Sequence, residues 1–477
     1  MKKTLLIFCL LFFTVKLFGQ QFSQYNTGTV YDSFDNPAQR SFIPDSSKQY
    51  SFNFFIPNFS LDFYLTGNAQ STLKTRAFVG NYANTSLKIG QGSYNHISTN
   101  ATVNWAMFKA FTSLNGDVEM GFSASTKAEG KGLISDESIA LFNGPQIFKN
   151  DNYADIFNNN YYYQLYNQLS FSYREKITKQ FAFGIKVSAL LGVRYEKLNI
   201  RQSDITFDRV ADKATLALNG VHFGSYIPGH FEPRDFLPTF RNPGASISLG
   251  SSYRTEDGFT LQANIKDLGF IHWSKRSMIY NFNQTVTVGA ISAKAREDSI
   301  YNKVYKVIHS GSSVGSFTTT TNGRAELSVT KSFWIDADHM FKYSPTVVAS
   351  KDLYYTGFVA AFVNPVQYKN SSITLTATYD DLRLFNLGAQ FMLKSSDFEF
   401  YIGSDRLTQS LGLLSAATNK TSPVISQNNA FTGANFFLGF TMKLGPVIEH
   451  PMNASSIPTG EKGFLGRLYN RLFKTNK

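Results

Sequence analysis

Large apolar residues alternate with small or polar ones along most of this chain, from about residue 50 to residue 444. Each alternating run lasts about ten residues, the length of a strand that crosses a membrane, and ends in a turn or a loop. In an extended strand, alternation sends successive side chains to opposite faces. The repeated pattern therefore predicts an all-β protein whose strands have one apolar face and one polar face.

Segment 168–196 shows the pattern clearly, as two alternating runs around a hydrophilic turn at 174–180. This arrangement predicts a β-hairpin. We expect its apolar side chains to face lipid and its polar ones to line a lumen. The outward set is Phe171, Tyr173, Phe181, Phe183, Ile185 and Val187, and the inward set is Lys186 and Ser188.

The connections between the runs are either short and polar or long. The short ones are 256–258, 331–333, 380–383 and 394–397, and the long ones are 129–160, 201–243, 271–320 and 406–431. Tight turns at one end and long loops at the other are typical of an up-and-down membrane barrel. The sequence therefore predicts a single up-and-down transmembrane β-barrel of about 14 strands, and roughly twelve to sixteen are compatible with the pattern.

A soluble array of β-sandwiches would also contain short alternating strands. Such an array needs linkers between its domains, and residues 161–445 contain none rich in Pro, Ser and Gly. The strands also lack a second apolar face. The pattern therefore favours a membrane barrel over residues 50–445. Within the long loops it predicts one short helix, capped by Ser135 and extending through residue 140.

The N-terminal residues 1–19 have the pattern of a secretory signal peptide, with Lys2 and Lys3 before an apolar stretch and the small Gly19 at its end. The only cysteine, Cys9, lies in this segment, so we expect a mature chain without disulfides or cysteine chemistry. Residues 20–49 are polar and rich in turn formers. No later apolar stretch reaches the 18 or so residues of a transmembrane helix.

The C-terminal residues 446–477 end in a pattern with helical spacing. An apolar set recurs at helical spacing, with basic residues opposite it. The apolar set is Phe464, Leu465, Leu468, Tyr469, Leu472 and Phe473, and the basic residues are Arg467, Arg471 and Lys474. This pattern predicts a short basic amphipathic helix that contacts either the membrane surface or a partner protein. An even number of strands would place both termini in the periplasm and this helix beneath the barrel.

Composition adds two constraints. Phe and Tyr account for most of the 15% of aromatic residues, and both fit a pleated sheet better than a helix. The formal net charge of +12 falls to +9 without Lys2, Lys3 and Lys16 of the predicted signal peptide. Since Lys and Arg form no stripe with interleaved aromatics, nucleic acid is not an expected partner.

Two motifs suggest chemistry, but a structural interpretation suits each one better. Ser313 is central to a GSSVG motif, which forms a nucleophile elbow only between a strand and a helix, and we expect a flexible outer loop there. Asp336 and Asp338 would share one face of a strand, and we expect them to face the lumen rather than to bind Ca²⁺. The histidines lack the spacing of a zinc site, so neither a metal nor another cofactor is predicted.

Two further segments are candidates for contacts with the membrane or the lumen. Residues 267–282 include Asp267, Gly269, Trp273 and Tyr280, and we expect this segment to anchor the barrel at the membrane interface or to have a packing role. Arg234 and Arg241 lie in a proline-rich loop. Either this loop folds into the barrel mouth, where its arginines would attract anions, or it is an ordinary surface loop.

The chain resembles a family of outer-membrane barrels from Bacteroidota that has no assigned function. The resemblance depends on Asn36, Pro37 and Ala38 soon after the signal peptide, on DLGFIHW at 267–273 and on YIGSDRL at 401–407. That family is distantly similar to FadL-type transporters and to the PorP/SprF-type barrels of type IX secretion and gliding. In FadL-like proteins the NPA region belongs to a plug or hatch inside the barrel, so the resemblance implies the same for residues 21–45.

Together these features favour a non-enzymatic outer-membrane barrel of a Gram-negative bacterium that serves as a structural or accessory subunit of an envelope complex. Its expected partners are outer-membrane lipid and other proteins of the outer membrane or periplasm. The alternative is a FadL-like transporter or pore for small or hydrophobic solutes. A lumen filled by the N-terminal segment would favour the first hypothesis, and a continuous channel would favour the second. A barrel enzyme is a weaker hypothesis, because no Ser, His and acid have recognisable spacing.

Overall fold

The computed structural model describes residues 28–43, 47–54, 56–80, 82, 86–112, 117–225, 238–293, 296–419, 431–448 and 463–473. The predicted signal peptide lies outside these residues and stays a prediction, as do the other domain boundaries. Arg234 also lies outside them. Among the described residues, no helix is long and apolar enough to cross a membrane.

Strands dominate the described part of the chain. They are β1 Lys48–Phe52, β2 Asn58–Thr66, β3 Tyr94–Phe111, β4 Val118–Ser135, β5 Asn152–Ala154, β6 Asn160–Lys176, β7 Phe181–Asp208, β8 Lys213–Gly224, β9 Pro243–Arg254, β10 Phe259–Trp273, β11 Met278–Gly289, β12 Ser312–Val314, β13 Phe317–Thr320, β14 Arg324–Lys331, β15 Phe333–Trp334, β16 Phe341–Tyr343, β17 Thr346–Asp352, β18 Phe358–Tyr368, β19 Ser371–Asp380, β20 Phe385–Lys394, β21 Phe398–Ser404 and β22 Thr432–Val447. The α-helices are α1 Val30–Asp35, α2 Gln70–Val79, α3 Asp136–Asn143, α4 Arg296–Ile308, α5 Leu407–Thr418 and α6 Phe464–Phe473, and a 3₁₀ turn spans Pro145–Ile147.

The described strands form a closed antiparallel barrel of 14 strands, which confirms the predicted fold. Some of the 14 are interrupted: β1 and β2 together make the first, β13 to β15 make the eighth, and β16 and β17 make the ninth. The last strand, β22, pairs with both β1 and β2 and closes the wall. Lys48 and Val447 lie opposite each other at the end that we call proximal, and the other end is distal.

The polarity of the wall is inverted relative to a soluble protein. On β19, Ile373 and Leu375 are 59% and 60% exposed on the outer face, whereas Thr374 between them is fully buried on the inner face. The hairpin at 168–196 follows the same rule, with Phe171 exposed outside and Lys186 buried inside. Apolar side chains exposed over an outer surface are stable in contact with lipid hydrocarbon and not with water, whereas a polar lumen can hold water. The barrel therefore spans a membrane.

Several connections differ from those that the sequence predicts. The turn of the hairpin at 168–196 is shorter than expected and covers only 177–180. Turn 380–383 joins β19 to β20 at the distal end, among the long loops, and 331–333 is not a turn because the strand continues through β15. The reason is geometric: a short polar connection is compatible with either end of a barrel.

Two predicted loops, 201–243 and 271–320, contain strands and a helix. The second half of β7 continues past the wall and pairs with β8, which pairs with β11, and β11 pairs with β12. We call residues 196–224 and 278–314 the distal extension. Helix α4 belongs to it and helps to bury an apolar core of its own, formed by Leu198, Ile205, Phe207, Leu216, Phe282, Ile300 and other residues.

The inverted polarity leads to a prediction for Leu375→Arg. A charge on the lipid face near the middle of the membrane costs about 2–4 kcal/mol. We expect the free energy of unfolding, measured by urea titration in phospholipid vesicles, to fall by about that amount. Val210→Arg, at a fully exposed turn of the distal extension, is the control and should change it little. Equal tolerance at the two positions would contradict a lipid-facing wall.

Candidate functional site

Residues 28–43 lie inside the lumen, and we call them the plug. Helix α1 begins with a capping box, in which the Thr29 hydroxyl accepts the Asp32 N–H and the Asp32 carboxylate accepts the Thr29 N–H. Val30 and Phe34 pack on Met107 of β3. The location within the barrel matches what the family resemblance implies for residues 21–45, over the part that the structure describes.

Polar side chains from strands around the barrel hold the plug. At its start, the Glu399 carboxylate accepts the Val30 N–H at 3.1 Å, and Lys394 donates to the Gly28 carbonyl at 2.6 Å. At the end of α1, Lys266 of β10 forms an ion pair with Asp35. Because these contacts come from β10, β20 and β21, they fix the helix across the lumen rather than against one strand.

The remainder of the plug is held by a second charged group. Arg174 of β6 donates to the Ala38 carbonyl at 2.8 Å. Glu119 of β4 accepts the Ser41 hydroxyl at 2.7 Å and lies 3.4 Å from both Arg174 and Lys109. The four charged or polar partners are all buried. Each charge in this group is thus paired within the lumen, as buried charges require.

A pair of glycines makes room for the predicted NPA motif. Gly184 of β7 and Gly250 of β9 lie directly opposite each other in the sheet. A Cβ atom at Gly184 would lie 2.1 Å from the Pro37 carbonyl oxygen, and one at Gly250 would lie 2.4 Å from the Asn36 side-chain oxygen. The motif therefore rests directly on the backbone of the wall. Asn36 also closes the turn through its side-chain oxygen, which accepts the Ala38 N–H at 3.1 Å.

Asp267 is the centre of another charge cluster in the lumen. Its carboxylate lies 2.5 Å from the Lys127 ammonium and 3.0 Å from that of Lys186, and it accepts from Gln168 at 2.8 Å. The residue has a positive φ of 45° at a register shift between Ile265 and Leu268. This bulge turns Asp267 into the lumen next to Lys266, although neighbouring residues of a regular strand face opposite sides.

On the distal side of the plug, the lumen contains two adjoining cavities. The space between the lining side chains is about 770 Å³ in the inner one and about 590 Å³ in the outer one, counting the part that is open to solvent. Both are lined almost entirely by polar and charged side chains, and they share Asn100, Glu129, Asn322 and Arg324. Tyr31, Phe34 and Asp35 of the plug form part of the inner wall, whereas Asp380 and Asp381 line the outer, distal cavity. We call the two cavities the chamber.

The segment at 267–282 packs within the protein rather than against lipid. Trp273 is fully buried, donates its indole N–H to Thr319 at 2.8 Å and packs on Tyr195. Tyr280 is buried in the distal extension. A Cβ atom at Gly269 would lie 2.3 Å from the Ala245 carbonyl. Trp273 and Tyr280 are therefore buried within the protein and do not lie at the membrane interface, where an anchor was expected.

Other predicted residues lie away from the chamber. Asp336 is in the turn between β15 and β16, where its carboxylate accepts the N–H groups of Met340 and Phe341, and Asp338 is exposed. The prediction that both face the lumen is wrong because the strand turns back at this point. Arg241 is exposed near the distal end and does not line the chamber. Ser313 is on strand β12 rather than in a flexible loop, and no helix follows it directly.

The helix predicted at the C-terminus is present as α6. Its first turn contacts Tyr173 and Glu175 of β6. Both residues have the outward orientation of Phe171, so α6 begins against the outer face of the wall and not beneath the barrel. Arg467 and Arg471 are exposed, as are Phe464 and Leu468. Leu472 lies in the helix, but its side chain is outside the description.

Five charged residues that hold the plug are not predictable from the sequence, namely Glu119, Arg174, Lys266, Lys394 and Glu399. The one feature of the sequence that marks these five residues is that each is a charged residue at an inward position of an alternating strand. Many strands in this chain carry such a residue, so pattern alone cannot select these five.

The glycine pair leads to a prediction for the plug. Gly250→Ala and Gly184→Ala each force a methyl group into the NPA motif, and overpacking of this kind costs about 1–3 kcal/mol. We expect faster hydrogen exchange in residues 28–43 of both variants, measured by mass spectrometry. Gly289→Ala is the matched control, since a Cβ there meets nothing within 4 Å. Unchanged exchange in all three variants would show that the motif does not rest on the wall.

The distal extension is expected to be sensitive to acid. His222 is buried, stacked on Tyr280 and in edge contact with His309, and burial lowers the pKa of His222 to about 4. Burial also lowers the pKa of His309. Because the unfolded chain binds the proton at a higher pH than the folded extension does, stability decreases as the pH falls from about 6.5 towards 4.

This effect can be measured as hydrogen exchange of β8 and β11 at pH 7 and pH 5, corrected for intrinsic rates. We expect a loss of protection at pH 5 that is smaller in His222→Phe, which keeps an aromatic ring and cannot be protonated. Equal acid sensitivity in the two proteins would rule out His222 as the cause.

The protein is similar in structure to known outer-membrane barrels, and its sequence matches a known family. The structure is similar to that of a Pseudomonas putida toluene transporter, TodX, with 8% sequence identity, a TM-score of 0.41 and coverage of 88% of this chain and 95% of that one. It is also similar to a Pseudomonas aeruginosa FadL homologue, with 11% identity, a TM-score of 0.42 and coverage of 90% and 95%. No curated protein matches the sequence. A family model matches residues 42–405, more than three quarters of the chain, and the protein therefore belongs to the Family of unknown function (DUF5723).

Proposed function

We propose that this protein is a non-enzymatic outer-membrane channel for small hydrophilic solutes, closed from the proximal side by its own N-terminal plug. The distal end would face the outside of the cell, and both termini would lie in the periplasm. In this proposal a solute enters the chamber from the distal end and leaves when the plug moves.

The observation that carries the proposal is the polar chamber above the plug. Its two adjoining cavities are lined by polar and charged side chains from many strands of the wall. Lys127, Gln168, Lys186 and Asp267 present charges and hydrogen-bonding groups to the inner cavity. Such a lining suits sugars, amino acids or small ions, and it disfavours a hydrophobic solute.

The way in which the plug is held supports its role as a gate. Its attachments include hydrogen bonds and ion pairs to Glu119, Arg174, Lys266 and Glu399. They also include small apolar contacts, in which Val30 and Phe34 pack on Met107, Tyr31 on Tyr401, and Phe42 on Phe111 and Ile448. Opening separates buried ion pairs, which is costly unless water replaces the lost partners, and the polar lining of the lumen allows water to do so. A large apolar contact would instead favour a permanent stopper.

A second candidate function is that of a structural or accessory subunit of an envelope complex, as the sequence analysis favours. It is supported by the distal extension, which has its own core and is not needed to close the wall. The kinship with PorP/SprF-type barrels of Bacteroidota remains a prediction that belongs to this candidate. In that case the plug would fill the barrel without opening.

Planar-bilayer recordings of the purified full chain test the channel. We expect little conductance from the wild type and severalfold more from Arg174→Ala/Lys266→Ala, because the variant loses the Arg174 contact with the Ala38 carbonyl and the Lys266 ion pair with Asp35. Lys275→Ala/Arg276→Ala is the control, since it removes the same charge from an exposed turn and should conduct like the wild type.

Vesicle swelling in sugars or amino acids would then identify the solute class. If the double variant stays closed although hydrogen exchange shows a released plug, the lumen is not a channel. Co-isolation of the wild type with a stoichiometric partner would in that case favour the structural role.

A further inference from the structure

We propose that α6 is a membrane-surface anchor whose partner is the anionic headgroups of the proximal phospholipid leaflet. Glu175 holds this helix at the outer rim of the barrel, and we call the contacts of Glu175 and Tyr173 with the first turn of α6 the clip. This inference does not depend on whether the barrel conducts.

The clip is formed at the first turn of α6. The Glu175 carboxylate accepts the backbone N–H groups of Leu465 and Gly466, each at 2.7 Å, one with each oxygen. The Tyr173 hydroxyl accepts the Phe464 N–H at 3.2 Å and donates to Glu175 at 2.7 Å. Three N–H groups that a helix leaves without internal partners are thus satisfied by the wall, and the negative charge suits the positive end of the helix dipole.

Gly463 shows that the two surfaces are fitted closely. A Cβ atom at this position would lie 2.6 Å from the Glu175 carboxylate and 2.8 Å from the Tyr173 hydroxyl. Glu175 itself is 1% exposed, although the residue lies next to the proximal end of β6 and points away from the lumen. A carboxylate on the lipid side of a barrel is costly unless it is covered, and α6 supplies that cover.

The position of the clip places α6 at the edge of the lipid belt. Phe171 and Tyr173 precede Glu175 on the same outer face of β6, and Phe171 is exposed to lipid. A helix held beside them lies along the rim of the wall, where hydrocarbon gives way to headgroups. Its location alone therefore brings one side of α6 into contact with the bilayer.

The composition of α6 suits that location. Phe464 and Leu468, one turn apart, are 64% and 42% exposed. Arg467 and Arg471 are also one turn apart and are exposed on the adjoining side. An apolar side next to a cationic side is the arrangement of a helix that lies in the plane of an anionic membrane surface. Charge and continuity with the lipid-facing wall thus favour lipid over a protein as the occupant.

The experiment uses the full chain in vesicles, in a Cys9→Ser background, with a fluorescent label on Leu468→Cys. Lipid-borne quenchers at shallow depth are expected to quench the label strongly when phosphatidylglycerol accompanies phosphatidylcholine. A label on Val210→Cys in the distal extension, where the residue is fully exposed, should not be quenched. Since each basic residue near an anionic surface strengthens binding about fivefold, Arg467→Gln/Arg471→Gln should weaken the attachment about 30-fold.

The clip is tested from both sides. We expect Glu175→Gln and Gly463→Ala to accelerate hydrogen exchange of the amides of residues 464–466, whereas Lys176→Gln, the next residue on β6, should leave it unchanged. Gly463→Ala changes no residue of the barrel wall, so the wall should still fold, and this variant remains informative if Glu175→Gln folds poorly.

Three results would overturn the proposal. One is a label at position 468 that only water-soluble quenchers reach, with or without phosphatidylglycerol. Another is unchanged exchange in both clip variants. The third is efficient cross-linking of position 468 to a protein in native membranes without quenching by lipid, which would identify a protein as the partner.

Discussion

Closure of the wall is the constraint on which the rest of the structure depends. In hydrocarbon no water can satisfy backbone N–H and C=O groups, so a sheet can span a membrane only if its first and last strands pair. Here β22 pairs with β1 at the proximal end and with β2 beyond it. Closure creates an enclosed lumen, and that lumen allows inward positions to be polar while outward positions are apolar.

The lumen in turn determines how charge is arranged. Lys127, Lys186 and Asp267 are largely removed from bulk solvent, and each has a partner of opposite charge. The plug completes such pairs, as the contact of Asp35 with Lys266 shows, and adds small apolar contacts at Met107 and Phe111. The wall and its plug are therefore complementary in charge as well as in shape. Gly184 and Gly250 contribute to the fit in shape, because they leave room for the NPA motif against the wall.

The alternation of residues made the barrel and its outward faces predictable, because one strand has only two faces and the membrane requires one of them to be apolar. The same rule explains what pattern analysis could not predict. Strands β8 and β11 also alternate, but their apolar residues, such as Leu216 and Phe282, face a small core of the distal extension and not lipid. Alternation cannot distinguish those two environments.

The candidate site was predictable only in part, for a related reason. The NPA motif indicated a plug through the family resemblance, whereas its partners are inward charges that resemble any other lumenal residue. The bulge at Asp267 is a further example, since a shift of register changes which face a residue occupies without leaving a mark in the pattern of apolar positions. Trp273 was misplaced because an aromatic residue near a strand end suits both the membrane interface and a buried cluster.

Arg174 and Glu175 show how one short stretch of wall fixes both terminal segments. As neighbours on β6 they point to opposite faces, so Arg174 enters the lumen and binds the Ala38 carbonyl of the plug, while Glu175 faces outward and caps α6. Both attachments bind backbone groups rather than side chains, and both lie beside glycines, Gly184 within the barrel and Gly463 outside it. The backbone of β6 is hydrogen-bonded to β4 on one side and to β7 on the other, so the backbone positions of Arg174 and Glu175 are fixed. Part of the plug and the first turn of α6 are therefore attached to the same strand, one on each side of the wall.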